Sequence, residues 1–282
     1  MTDYEKVLQE ADSMLLIKSE ATHARYMPVL RLFDDFPTRD DIVAKTNEWL
    51  AEGQKGTTIH TKHAAIRWLM KHFPRHFDPY DVQESKNYMG EIKTEEYIPS
   101  VATPEQAEEI IANADSRTAL AIGFLFYHGM RVSDVKKLRL DDFVETPEGE
   151  LKFSVKSKKS KQYREYFVSE HVVPLFRRYV NGMRKDTILR WKPPKNSESL
   201  FLGTAGGLGI LSIQNNVTSA CRACGYPFTC HSFRHGCATA YAKAGKGAEV
   251  IQYALGHKSI ASSLRYIHLN ARDLKNASQG VF

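Results

Sequence analysis

Apolar residues recur at helical intervals through the first ninety positions. The pattern is clear in YEKVLQEADSMLL (4–16), YMPVLRLFDDF (26–36) and DDIVAKTNEWL (40–50), where each apolar residue returns after three or four. Thr38 stands just before Arg39-Asp40-Asp41, the arrangement of a helix N-cap followed by acidic residues in the first turn. From Thr57 to Phe73 the pattern places Ile59, Ile66, Leu69, Met70 and Phe73 near one face, with Lys62, Arg67 and Lys71 elsewhere. Those cations alone describe an ordinary solvated face. The period then stops: residues 89–104 (MGEIKTEEYIPSVATP) combine Gly90, Pro99 and Pro104 with an acidic cluster, as a linker does. Thr103-Pro104-Glu105-Gln106 restarts a helix, with threonine as cap and proline at the first helical position.

In the second part, helical pattern runs from Thr118 to a stop at His128-Gly129, and Ser133 is placed to cap the next helix. Residues 151–169 (LKFSVKSKKSKQYREYFVS) alternate instead, with Phe153, Val155, Tyr166 and Val168 marking a β-hairpin. Its turn carries Lys156, Lys158, Lys159 and Lys161, a basic tip able to meet nucleic-acid phosphates without regard to sequence. Residues 171–192 should be helical and strongly basic, either as a solvated face or as part of a DNA-facing surface. LFLGTAGGLGILSI (200–213) is a glycine-rich connection; it lacks G-K-[ST] and a strand-loop-helix frame, which excludes a nucleotide-phosphate loop. Residues 215–224 form a helix ended by Gly225. Further helices begin at Ser232 and run from Ala248 to Leu255, and Ser259 caps a short one leading to Tyr266.

Composition narrows the class. With 282 residues and 42% hydrophobic content the chain can build two cored domains or one large one. The formal charge of +6 suits a polyanionic partner without identifying one. The acidic, polar start (MTDYEKVLQEADSM) is not a signal peptide, and no apolar run approaches the ~20 residues of a membrane span, so a cytoplasmic protein is expected. Four cysteines lie at 221, 224, 230 and 237. Cys221-x-x-Cys224 with Cys230 invites a zinc reading, but the usual second pair of ligands is missing, so reduced thiols and no metal are expected.

The candidate chemistry sits between 231 and 266. His231-x-x-Arg234 opens the stretch, Leu255-Gly256-His257 follows, and Tyr266 comes nine residues after His257. Arginine offers a planar fork matched to phosphate oxygens, histidine donates or shuttles a proton near neutral pH, and tyrosine can act as an oxygen nucleophile. A lone histidine is more often a core residue and a lone tyrosine a packing aromatic; here the set recurs together. The stretch closely resembles the C-terminal boxes of the tyrosine recombinases, the phage-integrase and Xer-type strand-exchange enzymes, with Gly245 also in register. GMRVSDVKKL (129–138) resembles their first arginine box, with Asp134 where the family has glutamate and still able to buttress Arg131.

The resemblance implies a mainly α fold with a small β-sheet, arranged as a two-domain DNA clamp. A helical core-binding domain (1–92), a linker (93–103) and a catalytic domain with a C-terminal tail (104–282) would make it up. It implies a site-specific recombinase that cuts and rejoins DNA through a 3′-phosphotyrosyl intermediate, with neither ATP nor another cofactor. Arg131 and Arg234 would hold the phosphate, His257 would donate a hydrogen bond to it, and His231 would take part in proton transfer at the hydroxyl of Tyr266, the nucleophile. A hairpin lysine would protonate the leaving 5′ oxygen; Lys158 is the choice, with Lys156 and Lys159 open because the turn lacks the family's glycine. His235 and His268 are expected at the surface or behind the site. The partners would be double-stranded recombination sites, with a monomer in solution forming a homotetramer on paired sites through the tail (270–282). Two alternatives share part of the pattern: a type IB topoisomerase, against which the L-G-H box and the short N-terminal domain argue, and a DNA-binding regulator with a decayed site. Resolution of chromosome dimers and integration of mobile elements are both open.

Overall fold

Several helix starts in this chain are set by short side chains that cap exposed backbone amides. In the computed structural model, which describes residues 1–90, 92, 100–156, 163–191 and 197–267, Thr2, Thr38 and Thr103 each form a reciprocal capping box with the residue three positions on, Glu5, Asp41 and Gln106. The chain divides into two compact units, Met1–Ile98 and Pro99–Phe282.

The first unit is helical: α1 (Asp3–Lys18), α2 (Glu20–Leu30), α3 (Arg39–Ala51), α4 (Gly56–His72) and α5 (Pro79–Tyr88). Its core gathers Tyr4, Leu15, Leu30, Ile42, Trp49, Ile59, Ile66 and Leu69, the positions the helical period marked. Tyr4 is fully enclosed because its hydroxyl donates to the Leu30 carbonyl at 2.6 Å. Not every cation of α4 is simply solvated: the Lys62 ammonium lies 4.1 Å from the centre of the Trp49 ring.

The second unit is built on α7 (Ser116–Tyr127), which follows α6 (Pro104–Asn113). Residues 118–126 of α7 are all buried, as expected of a helix apolar on every side. A short helix α8 (Val132–Val135) follows the turn at Gly129; Ser133 lies inside it and does not cap it, because Arg131 occupies the cap position. Three antiparallel strands come next, β1 (Phe143–Glu145), β2 (Leu151–Lys156) and β3 (Tyr163–Phe167). Phe153 of the hairpin pairs with Tyr166 on one side and Phe143 on the other, and the three rings stack at 5.4 Å spacings. β1 escaped the sequence pattern because three residues show no period.

After the sheet, α9 (Val173–Tyr179) and α10 (Lys185–Trp191) are joined by a wide π-type turn at Val180–Arg184, where Gly182 leaves helical geometry. Arg184 is not part of a solvated basic face. It is buried and donates to the carbonyls of Ser197, Ser199 and Leu200. The glycine-rich connection forms a small hairpin, β4 (Leu202–Gly203) and β5 (Gly206–Gly207), and the following helix α11 (Ile210–Ala223) starts earlier than its polar middle suggested. The chain then runs through α12 (Cys230–Lys243), α13 (Ala248–Leu255) and α14 (Ala261–Leu264).

α12 crosses α7 closely, and Gly236 makes this possible: a β-carbon there would lie 2.3 Å from the Ala102 carbonyl oxygen and 2.8 Å from the Phe126 ring. The start of α12 is pinned by Ser232, whose carbonyl accepts the Ala102 amide and whose hydroxyl meets that of Ser100 at 2.8 Å. No helix among the described residues is long and apolar enough to cross a membrane.

Candidate active site

Three backbone carbonyls organise the site. The turn after α7 takes a positive φ of 56° at Gly129, where a β-carbon would also meet Leu255 and the Cys237 sulfur at 3.0 and 3.1 Å. Glycine satisfies both demands, and its carbonyl is turned to receive a guanidinium nitrogen of Arg234. α13 ends with Gly256 in the left-handed conformation. The Leu255 carbonyl then accepts Arg234 at 2.9 Å, and the Gly256 carbonyl accepts both terminal nitrogens of Arg131 at 3.4 Å. The exposed carbonyls at a helix C-terminus carry partial negative charge, a fitting support for two cations.

These two arginines start far apart in sequence, on the cap of α8 and within α12, and α13 draws them together. Arg234 is buried; desolvation, and then the neighbouring charge of Arg131, push its pKa down to about 10, so it remains a cation at neutral pH. Neither arginine forms an ion pair among the described residues. One buried and one half-buried guanidinium, held by carbonyls and without an ion pair, leave positive charge for an anion to meet. Asp134, expected to buttress Arg131, instead pairs with Lys137 at 3.0 Å. The aspartate is one methylene shorter than the family's glutamate, and Lys137 is one helical turn away.

His257 follows the α13 cap. Its Nδ1 lies 2.8 Å from the hydroxyl of Ser263, a residue with no exposed surface. Desolvation first, then Arg234 and Arg131, lower the His257 pKa to about 4, so the ring is neutral at physiological pH. Ser263 therefore fixes which ring nitrogen faces the site, a role that no local pattern around position 263 marked.

Tyr266 lies in the turn after α14, half-buried against Cys237, Ala238, Ile251 and Leu255. Its ring is nearly parallel to that of His257 with centres 6.4 Å apart. Burial raises the phenol pKa, while Arg265 and Arg234 oppose that rise. Its hydroxyl is hydrogen-bonded to Nδ1 of His235. His235 thus stands behind the site, one of the two places expected for it, while the imidazole at the hydroxyl is not the expected one: His231 is exposed, with its ring centre 6.4 Å from that of His235. The signal was present in the spacing: 231 and 235 are four apart, hence on one helix face.

Lys158 and Lys159 lie outside the described residues, as do His268 and the tail, and Lys156 is described only through its backbone at the end of β2. The four cysteines are free thiols. Burial pushes Cys221 and Cys237 up to about 12 and Cys230 up to about 11, away from the thiolate form that binds zinc. Among the described residues no group of three His, Cys, Asp or Glu side chains is placed to hold a metal ion.

Comparison with known proteins bears on this arrangement. The chain is 27% identical over 247 residues to the tyrosine recombinase XerD of Rickettsia bellii, covering 82% of this chain and 79% of that one. It is 26% identical over 203 residues to the tyrosine recombinase XerC of Treponema denticola, 66% of this chain and 65% of the relative. Its fold is similar to that of the XerH site-specific recombinase bound to its difH substrate, with a TM-score of 0.70 at 19% identity, over 97% of this chain and 83% of the other. It is likewise similar to the Tn1549 transposon integrase in complex with transposon right end DNA, with a TM-score of 0.71 at 16% identity, over 97% and 98%. Residues 100–273, which contain every element of the site just described, match the model of the phage integrase family, and the chain belongs to that family, the tyrosine recombinases.

Proposed function

We propose that this chain is a site-specific DNA recombinase in which Tyr266 attacks a backbone phosphodiester, forms a 3′-phosphotyrosyl link and releases a 5′-hydroxyl that can rejoin another strand. The observation that carries the reading is the pair of un-neutralised guanidiniums, Arg131 and Arg234, beside Tyr266 and His257. A phosphodiester repels nucleophiles because its nonbridging oxygens are charged. Two preformed cations bind that charge and gain strength as it builds in the transition state. His257, neutral, donates a hydrogen bond to a phosphate oxygen through the nitrogen that Ser263 leaves facing the site, and exposed His231 contacts the phosphate from the next turn of α12. Lys158, or its neighbours Lys156 and Lys159, protonates the departing 5′ oxygen. One ester replaces another, so no energy source is consumed.

In the same reading the substrate is double-stranded DNA and the first unit is its core-binding partner, so that the chain closes on the duplex as a clamp. The protein acts in the cytoplasm as a monomer that assembles into a homotetramer on paired sites. The relatives include both Xer recombinases and a mobile-element integrase, so dimer resolution and element movement both fit the reaction.

The test is to incubate the protein with duplexes of randomised sequence, denature, and recover DNA that stays covalently attached; sequencing the trapped ends also gives the target site. Tyr266→Phe should bind the recovered duplex and trap none of it. An adduct formed by Tyr266→Phe at the unaltered yield would remove Tyr266 as nucleophile.

A further inference from the structure

The hydroxyl of Tyr266 has one side-chain hydrogen-bond partner among the described residues, and it is His235. α12 presents three of its residues to the site in one turn and a half. Arg234 turns inward to the Gly129 and Leu255 carbonyls, His231 stays exposed, and His235 is half-buried between them. The rings of His235 and Tyr266 are 5.8 Å apart and inclined at 42°, which suits an edge-on hydrogen bond from phenol to imidazole. We propose that His235, rather than His231, takes the proton from the Tyr266 hydroxyl as the tyrosine attacks the phosphodiester. The proposal rests on Tyr266 being the nucleophile.

Its chemistry is balanced. The Tyr266 oxygen forms a bond to phosphorus while its proton moves to His235 Nδ1. The phosphorus–5′-oxygen bond breaks, and the departing oxygen keeps the electron pair and takes a proton from the hairpin lysine. On rejoining, the incoming 5′-hydroxyl gives its proton back to the lysine amine and displaces the phenol oxygen, which recovers its proton from the imidazolium.

The surroundings suit a proton acceptor. Four groups besides the phenol face His235: His231 and Arg234 on its own helix, Arg265 beside Tyr266, and His257 across the ring. Desolvation is the largest influence, and it and the positive neighbours lower the His235 pKa, so the ring is neutral and able to accept at physiological pH. The same cations lower the cost of forming phenolate and so assist the transfer. Among the described residues His231 makes no hydrogen bond to the hydroxyl; its exposed position suits a DNA contact instead.

The experiment is single-turnover cleavage of the recovered duplex, rebuilt with a nick so that cleaved ends are trapped. His235→Asn keeps an amide near the Nδ1 position but cannot hold a proton. It should cleave ~100-fold or more slowly, the usual loss for a general base, with DNA affinity unchanged. Its rate should climb steadily with pH toward the ordinary phenol range, where the unaltered enzyme reaches a plateau. Replacing Tyr266 with 3,5-difluorotyrosine, a more acidic phenol, should recover much of the loss in His235→Asn and little in Arg131→Ala. The idea fails if His235→Asn cleaves within threefold of the unaltered chain with the same pH profile. It also fails if His231→Asn, and not His235→Asn, loses the plateau and responds to the fluorinated tyrosine. A measurement independent of variant folding at 235 uses nitrogen-15 histidine spectra of Tyr266→Phe. The His235 Nδ1 resonance should move and that of His231 should stay; the reverse overturns the proposal. A persistent adduct in Tyr266→Phe would instead mark the failure of the underlying reading.

Discussion

Replacing Ser263 with alanine should slow DNA cleavage without weakening DNA binding. Ser263 is fully enclosed, and its hydroxyl is 2.8 Å from His257 Nδ1. His257 is neutral at physiological pH, so one nitrogen carries a proton and the other does not. When the serine hydroxyl donates to Nδ1, the proton must sit on Nε2, where it can be given to a phosphate oxygen. The alanine variant loses that constraint and leaves Nδ1 without its partner. A polar group stranded in this way costs ~1–3 kcal/mol. Every ~1.4 kcal/mol placed on the barrier is a factor of ten in rate, so the cleavage rate should fall ~10- to 100-fold. Folding stability should drop by ~1–3 kcal/mol, the cost of the stranded Nδ1, with little added by a cavity the size of one oxygen. Single-turnover cleavage, a mobility-shift titration and a thermal melt, run on one preparation, separate these quantities. If Ser263→Ala cleaves within threefold of the unaltered chain, the serine does not set the His257 proton. If cleavage and DNA affinity fall together, Ser263 acts through packing alone.

Two further outcomes concern stability. Gly236→Ala forces a β-carbon to within 2.3 Å of the Ala102 carbonyl, so α12 must move, at an overpacking cost of ~1–3 kcal/mol. The melting temperature should fall by ~2–4 °C per kcal/mol, and cleavage should fall with it because α12 carries His231, Arg234 and His235; an unchanged melt would refute the close crossing. His128 packs between Phe124 and Phe153 and accepts the Ser169 amide, and burial lowers its pKa from 6.5 to about 4. Below pH 6.5 the unfolded chain binds a proton that the folded chain does not, so stability is complete above 6.5 and declines on acidification toward 4. At ~1.4 kcal/mol per unit the loss from this residue between pH 7 and pH 5 is ~2 kcal/mol; urea melts of His128→Gln should show a shallower pH dependence, and equal slopes would count against it.

The helices of the first unit were legible because its core is made of residues at helical spacing, with Thr38 marking the start of α3, and Thr103 marked the start of α6 in the second unit in the same way. α7 was legible from its end at His128-Gly129, and α13 from Gly256. Less visible were features that depend on a partner elsewhere in the chain. Arg184 reads as one of many basic residues in its stretch, yet it is buried because three carbonyls at 197, 199 and 200 come to meet it. Ser133 has the composition of a cap, but the chain enters α8 two positions earlier. Asp134 has the charge to support Arg131 and a closer cation in Lys137.

The sequence by itself determined which chemistry this protein carries. A guanidinium, an imidazole and a phenol at fixed intervals are covalent facts, and so is the family to which 100–273 belong. Only the tertiary structure decided how those groups are used. Side-chain roles depend on distances of a few ångströms between α8, α12, α13 and α14, and no local spacing sets them. The fold hands Arg131 and Arg234 to the carbonyls at the end of α13 and buries Ser263 against His257. It also turns His235 rather than His231 toward Tyr266, because both lie on one face of α12 and only the deeper of the two reaches the turn beyond α14.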